Sequence, residues 1–191
     1  MKSPIDFYFD FSSPYGYLAA QKIEALAAEY GRGVTWRPLL LGAAFKATGG
    51  VPLPQIPLKG DYAKRDFLRS ARFHDVPFRI PDPFPVSTVS ACRVFYATAA
   101  EKQVPLAKAL FRAYFVDNVN IGEAANVLRI ASSLDCRPDI ENQAVKDRTR
   151  AEVDAALAKG VFGSPYIVID GEPFWGVDRF DQIERWLREP F

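Results

Sequence analysis

Two segments at opposite ends of the chain constrain its fold most strongly. Near the start, apolar and polar residues alternate from Ile5 to Phe11, and the pair Ser13-Pro14 follows. A period of two predicts a strand, and serine before proline is typical of a helix start. Near the end, Gly163-Ser164-Pro165 precedes an apolar run and then Asp170-Gly171. This order predicts a turn, a strand over residues 166–169 and a hairpin, so both ends supply strands.

The chain between these segments is predicted to be mostly helical. One helix is predicted from Ser13 to Gly31, then a second strand over residues 34–41 and a loop over residues 49–60. The remaining predicted elements are helices over residues 62–73, 88–102, 105–116, 123–134 and 139–159, a return strand from Pro173 and a last helix from Asp178.

This element order predicts an α/β chain with a thioredoxin fold that carries an all-helical insertion domain. The order is strand, helix, strand, then a helical block, then two strands and a helix. We assign residues 1–45 and 156–191 to the thioredoxin-like domain and residues 60–155 to the helical insertion domain. Residues 46–59 form the predicted connecting loop.

Composition and charge exclude several classes of partner. Hydrophobic residues make up 49% of the chain and aromatic residues 14%, which is typical of a globular protein with a large core. The net charge of +1 gives no electrostatic basis for binding nucleic acid or an acidic membrane surface. No apolar run approaches the ~20 residues that a bilayer span requires. We therefore expect no nucleic-acid partner and no membrane partner.

The first residues and the two cysteines predict a cytoplasmic location. The strand pattern follows Met1-Lys2-Ser3-Pro4 directly, with no secretory signal pattern. Cys92 and Cys136 lie far apart and form no Cys-x-x-Cys motif, which is typical of buried thiols in a reducing compartment. We also expect no metal site.

The motifs together resemble those of 2-hydroxychromene-2-carboxylate isomerases. These enzymes are close relatives of the kappa-class glutathione transferases, within the DsbA-like part of the thioredoxin superfamily. The resemblance covers essentially the whole chain and depends on the order and spacing of several weak motifs. The motifs are Phe9-Asp10-Phe11-Ser12-Ser13-Pro14-Tyr15, Lys59-Gly60-Asp61-Tyr62, Arg65-Asp66, Phe84-Pro85, Gly163-Ser164-Pro165 and Phe174-Trp175-Gly176-Val177-Asp178-Arg179.

The resemblance implies that glutathione is the cofactor. By analogy, the hydroxyl of Ser13 hydrogen-bonds the glutathione sulfur and is the catalytic group. The backbone of Ser164, before a cis-Pro165, pairs with the tripeptide as an added strand. The γ-glutamyl end is held by Trp175, Gly176, Val177 and Asp178.

The resemblance also implies a small aromatic substrate and a homodimer. The implied reaction converts 2-hydroxychromene-2-carboxylate to trans-o-hydroxybenzylidenepyruvate, a step of aromatic hydrocarbon catabolism such as naphthalene degradation. Lys59 and the loop position Gly50 belong to the implied substrate side. Relatives often carry Asn where this chain has Gly50 and Ser87. Lys59, Arg37 and Arg65 are the candidate cations for the substrate carboxylate.

The residues around Ser13 limit the possible chemistry. A thioredoxin-type redox enzyme holds cysteine where this chain holds Ser13, and Ser13-Pro14-Tyr15-Gly16 contains no cysteine. A serine nucleophile would need a base, and no motif links Ser13 to His74, the single histidine. A hydroxyl that only caps a helix is the simplest alternative. Three functions remain open: the isomerase, a glutathione transferase, and a redox-inactive module that binds peptides by strand addition.

Overall fold

The computed structural model describes residues 2–191 and contains a sheet surrounded by helices. The strands are β1 (Ile5–Phe9), β2 (Val34–Pro38), β3 (Tyr166–Ile169) and β4 (Glu172–Trp175). The α-helices are α1 (Pro14–Ala20), α2 (Ile23–Glu29), α3 (Leu41–Thr48), α4 (Lys59–Phe73), α5 (Val89–Ala97), α6 (Ala100–Phe115), α7 (Ala124–Ser132), α8 (Gln143–Ala158) and α9 (Phe180–Arg188). Short 3-10 turns cover Leu53–Gln55 and Val177–Arg179.

The sheet brings the two ends of the chain together, in the order β2-β1-β3-β4. β1 runs parallel to β2, with Phe7 opposite Trp36, and antiparallel to β3, with Phe7 opposite Ile167. β3 and β4 form the predicted hairpin. Helices α4 to α8 lie between β2 and β3 in chain order, as the predicted helical insertion does. The thioredoxin fold with a helical insertion is therefore confirmed.

Both faces of β1 are covered. On one face the rings of Phe9 and Phe111 lie 5.3 Å apart, and those of Phe9 and Trp36 lie 5.4 Å apart. On the other face Tyr8 belongs to a smaller cluster with Ala44 of α3 and Ala156 of α8. Tyr8 and Asp10, which follows the strand, are both buried. The alternating pattern of β1 therefore does not indicate a face exposed to solvent.

The largest difference from the predicted elements is helix α3. The sequence predicts a strand over residues 34–41 and then a loop, but β2 ends at Pro38 and α3 begins at Leu41. The first N–H of α3 donates to the carboxylate of Asp10, at 2.8 Å. Because this group lies 31 positions away in the chain, a local pattern cannot reveal the start of the helix. Gly49 ends α3 with φ of 73°, as a C-terminal glycine commonly does.

Two predicted helices are each divided. The helix predicted after Ser13 is interrupted between α1 and α2, at residues 21–22. The helix predicted over residues 88–102 is interrupted at Thr98, whose backbone is extended with ψ of 145°. The side chain of Gln103 stabilises this break by donating to the carbonyl oxygens of Phe95 and Thr98. Helix α6 then continues through Pro105, which was predicted to begin a separate helix.

Gly60 at the start of α4 provides a test of the packing beside the 3-10 turn Leu53–Gln55. A Cβ atom at Gly60 would collide with the carbonyl oxygen of Pro54, and a backbone atom cannot rotate away. We expect Gly60→Ala to lower the free energy of unfolding by about 1–3 kcal/mol, measured by urea denaturation. Gly33→Ala is the control, because nothing lies within 4 Å of a Cβ there. Equal effects for the two variants would contradict the close approach.

Candidate active site

A cavity of about 1180 Å³ opens where β1 ends and α1 begins. Most of the side chains that line it are apolar, and a smaller number of polar groups lie between them. The lining residues come from the segments 10–15, 40–45, 51–56, 66–70, 84–89, 162–164 and 175–179. The cavity therefore joins the two end segments to the helical insertion.

Ser13 lines this cavity and makes two hydrogen bonds. As the N-cap of α1 it accepts a hydrogen bond from the N–H of Gly16, at 3.0 Å. Its hydroxyl donates to the carbonyl oxygen of Ser164, at 3.1 Å. The predicted cap is confirmed, and the same hydroxyl joins the two end segments. Because its proton is already donated, Ser13 can donate to a ligand only by releasing Ser164.

The turn that faces Ser13 is held close to helix α1. The Ser164–Pro165 peptide bond is cis, which confirms the prediction. The hydroxyl of Ser164 accepts a hydrogen bond from the N–H of Asp10, at 3.0 Å. A Cβ atom at Gly16 would lie only 2.6 Å from the Ser164 hydroxyl oxygen. Glycine at position 16 therefore permits this approach of helix and turn.

Asp10 connects three segments of the cavity wall and is 4% exposed. Its carboxylate accepts hydrogen bonds from the N–H of Ser12 at 2.7 Å, the N–H of Leu41 at 2.8 Å and the hydroxyl of Thr88 at 3.1 Å. Burial raises the pKa of Asp10 above its ordinary value, although these three hydrogen bonds act in the opposite direction. The sequence patterns and the family resemblance give Asp10 no role in the site. Its position directly after a strand and before Ser13 is the signal that could have indicated one.

The end of β4 and the residues that follow it form a charged edge of the cavity. The indole of Trp175 packs over Gly163, where a Cβ atom would collide with the ring nitrogen. The rings of Trp175 and Phe162 lie 4.8 Å apart. Beside them, Arg179 donates to the carboxylate of Asp178, at 2.7 Å. Arg179 lines the cavity, although sequence analysis did not assign it to the site.

Tyr15 and Asp66 form a second polar group in the cavity. The phenol of Tyr15 donates to the carboxylate of Asp66, which also accepts a hydrogen bond from Arg69. Burial, and then the bond to Asp66, raises the pKa of Tyr15. Although burial acts to raise the pKa of Asp66, the hydrogen bonds from Tyr15 and Arg69 hold it below its ordinary value. The pair therefore consists of a neutral phenol and an ionised carboxylate.

The structure brings together most of the predicted glutathione residues and neither of the two predicted substrate residues. Ser13, Ser164 and the four residues of the segment 175–178 line the cavity, whereas Pro165 does not. Gly50 and Lys59 also lie outside its lining. Lys59 is exposed at the start of α4.

The other candidate cations and the protein's own thiols also lie outside the lining. Arg37 pairs with Asp6 at 2.8 Å, and neither Arg37 nor Arg65 lines the cavity. Cys92 and Cys136 are buried and free, and burial raises the pKa of Cys92 well above its ordinary value. Within residues 2–191, no helix is long and apolar enough to cross a membrane, and no group of His, Cys, Asp and Glu could hold a metal ion.

Comparisons with known proteins give the same family throughout. The family model of the DSBA-like thioredoxin domain matches residues 4–188. A 2-hydroxychromene-2-carboxylate isomerase from Sphingobium xenophagum is 28% identical over 194 residues, which is 98% of this chain and 99% of that protein. Glutathione S-transferase kappa 2 from Caenorhabditis elegans is 26% identical over 208 residues, which is 98% of this chain and 92% of that protein.

Two solved structures have the same architecture. A structure of 2-hydroxychromene-2-carboxylate isomerase superposes with a TM-score of 0.84 and 25% identity, and covers 96% of this chain and 94% of that one. The cytosolic disulfide reductase DsbM from Pseudomonas aeruginosa superposes with a TM-score of 0.58 and 16% identity, over 98% and 93% of the two chains. The second likeness shows the fold alone.

Proposed function

We propose a glutathione-dependent function for this chain, which belongs to the DSBA-like thioredoxin domain family. Its homologues are isomerases and glutathione transferases, so the chain is an enzyme of this general kind. The proposed activity is isomerisation of a small aromatic electrophile, with Ser13 as the catalytic residue. The observation that carries the proposal is that Ser13, the turn at Ser164 and the Asp178–Arg179 pair all line one cavity.

The residues around the cavity fit the shape and charges of glutathione. The γ-glutamyl end of the tripeptide carries an ammonium and a carboxylate, which complement Asp178 and Arg179 respectively. The carbonyl oxygen of Ser164 accepts a hydrogen bond from Ser13, and that of Pro165 accepts one from the N–H of Gly176. The backbone of this turn therefore connects Ser13 with the segment of the charged pair, where it could pair with the middle of a peptide. A volume of about 1180 Å³ exceeds the roughly 300–1,000 Å³ of ordinary ligand pockets, which leaves room for an aromatic ring as well.

The Ser13 hydroxyl can stabilise a thiolate by about one pKa unit. A hydroxyl that donates to an anion contributes about 1.5–3 kcal/mol, but this proton must first leave the carbonyl of Ser164, a neutral bond worth about 0.5–1.5 kcal/mol. The difference of roughly 1–1.5 kcal/mol corresponds to about one unit of pKa. The start of α1 acts in the same direction. When bound, glutathione would supply a thiolate nucleophile that adds reversibly to the electrophilic carbon of the substrate.

The apolar part of the cavity fits an aromatic ring. Phe45, Phe67 and Phe84 line it, together with the loop at Val51 to Ile56. The finer proposal from the resemblance is 2-hydroxychromene-2-carboxylate as substrate, in aromatic hydrocarbon catabolism. A glutathione transferase is the second candidate, because the three candidate cations for the substrate carboxylate, Lys59, Arg37 and Arg65, all lie outside the lining.

A cytoplasmic location and a homodimer are proposed on the resemblance alone, and light scattering of the purified protein tests the dimer.

Calorimetric titration with glutathione, followed by product analysis, tests this function. We expect binding by both glutathione and S-methylglutathione, and turnover only with glutathione. Asp178→Asn should weaken binding by about tenfold, since a charged partner of the ammonium is lost. Asp154→Asn, at an exposed position of α8 outside the lining, is the matched control. Absence of glutathione binding would overturn the proposal and favour the peptide-binding module, and a retained glutathione conjugate in place of an isomer would favour the transferase.

A further inference from the structure

Ser12 carries a buried hydroxyl at the cavity to which neither the family resemblance nor the proposed function gives a role. The residue is 9% exposed, precedes Ser13 directly and lines the cavity. Its N–H donates to the carboxylate of Asp10, at 2.7 Å. Its hydroxyl accepts a hydrogen bond from the N–H of Val86, at 3.1 Å. The backbone and the side chain of Ser12 are therefore both held in place.

The hydroxyls of Ser12 and Ser13 bind different segments of the chain. Ser13 donates to the carbonyl oxygen of Ser164, in the turn that the proposed function assigns to glutathione. Ser12 binds Val86 instead, in the segment 84–89, which lines the cavity and is assigned to no part of glutathione. A ligand group that contacts Ser12 is therefore expected to belong to the electrophile and not to the tripeptide.

The hydroxyl proton of Ser12 is held less firmly than that of Ser13. The bond from Val86 uses an acceptor site of the Ser12 oxygen, so its proton remains to be donated. The phenol of Tyr114 also hydrogen-bonds Ser12 and donates its own proton to the carbonyl oxygen of Pro83, at 3.0 Å. A neutral phenol oxygen is a weaker acceptor than a peptide carbonyl oxygen. The proton of Ser12 can therefore turn toward a ligand more easily than that of Ser13.

We propose that Ser12 is a second catalytic residue, which donates a hydrogen bond to the electrophile's oxygen once sulfur has added. This role rests on the proposed glutathione function. When a thiolate adds to the β-carbon of a conjugated carbonyl compound, a C–S bond forms and the electrons of the C=C bond shift, so that the carbonyl oxygen becomes an enolate. A donor already in position stabilises this charge without reorganisation. Expulsion of sulfur returns the electrons, and Ser12 keeps its proton throughout.

Two electrophiles separate this role from activation of the glutathione thiol. Addition to benzylideneacetone places negative charge on a carbonyl oxygen, whereas displacement from benzyl chloride places it on the departing chloride. Ser12→Ala should lower kcat about 30-fold for benzylideneacetone and less than about threefold for benzyl chloride. Because both rates come from the same protein sample, any loss of folded protein cancels in their ratio. Equal losses for the two electrophiles would overturn the proposal.

The pKa of the bound glutathione thiol is a second readout. Ser12→Ala should leave this pKa unchanged, measured by thiolate absorbance in the ultraviolet, because the hydroxyl of Ser12 is assigned to the electrophile and not to sulfur. A rise as large as that expected for Ser13→Ala would mean that Ser12 acts on the thiol, which contradicts the proposal.

Thr88→Val is the matched control for simple anchoring of the segment 84–89. Thr88 ties the same segment to Asp10, but its proton is donated to that carboxylate, at 3.1 Å. Thr88→Val should therefore lower kcat for benzylideneacetone less than about threefold, and a loss equal to that of Ser12→Ala would reduce Ser12 to an anchor. If the original protein binds glutathione but does not accelerate addition to benzylideneacetone, the role of Ser12 is wrong while the glutathione site stands. If glutathione does not bind, the proposed function itself is wrong.

Discussion

Ser13→Ala is expected to reduce glutathione-dependent turnover at neutral pH by at least about tenfold while the protein remains folded. The variant removes the hydroxyl that the proposal assigns to the thiolate, and a loss of about 1.4 kcal/mol corresponds to a tenfold change in rate. The pKa of the bound glutathione thiol should rise by about one unit, measured by thiolate absorbance in the ultraviolet. The change in rate and the change in pKa should agree in size, because both report one hydrogen bond.

A second N-cap separates this effect from simple loss of a helix cap. Asn142 caps α8 by accepting a hydrogen bond from the N–H of Ala144, at 2.9 Å, and lies outside the cavity lining. Asn142→Ala should therefore cost about 1 kcal/mol of stability, as Ser13→Ala also should, yet leave turnover unchanged. If Ser13→Ala retains full turnover and an unshifted thiol pKa, Ser13 is only a helix cap.

Asp10→Asn is expected to lower the free energy of unfolding by about 2 kcal/mol or more, measured by urea denaturation. The carboxylate accepts hydrogen bonds from two backbone N–H groups and from Thr88, all in a buried site. An asparagine amide must place its NH2 group against one of these donors, and each unsatisfied buried donor costs about 1–3 kcal/mol. Asp61→Asn, at an exposed position of α4, is the control and should change stability by less than about 0.5 kcal/mol.

The loss in free energy of unfolding caused by Asp10→Asn should become smaller as pH rises. Burial raises the pKa of Asp10 in the folded protein above its ordinary value of 3.8. A raised pKa means that this carboxyl stabilises the fold most below 3.8, and that this contribution is lost as pH rises through the folded-state pKa. Asparagine does not titrate, so the stability lost in Asp10→Asn should be largest near about pH 4 and smaller near about pH 8. If the stability difference between the original protein and Asp10→Asn grows with pH, the hydrogen bonds to Asp10 outweigh burial in setting its pKa.

The elements that sequence patterns predicted well are those set by short-range rules. The strand over residues 166–169, the hairpin at Asp170-Gly171 and the cap at Ser13 were all predicted and are all present. They depend, in that order, on a short apolar run, a two-residue turn and a hydrogen bond across three positions. Helix α3 was missed because its first N–H binds Asp10, a residue from a different element. The helix predicted over residues 88–102 was wrong at Thr98 for a different reason: the side chain of Gln103, only five positions away, stabilises the break, and an apolar period does not report such a bond.

The sequence by itself determined the fold class, the strands and the hairpin near its two ends, and the cap at Ser13. Only the tertiary structure decided the rest of the site: that Asp10 is buried, that Arg179 lines the cavity, and that Lys59 and Gly50 do not. The physical reason is that some properties depend on residues close together in the sequence and others on residues far apart in it. A cap or a strand period is fixed by neighbouring residues, whereas burial and charge at a cavity depend on contacts such as that between Asp10 and Thr88, which are 78 positions apart.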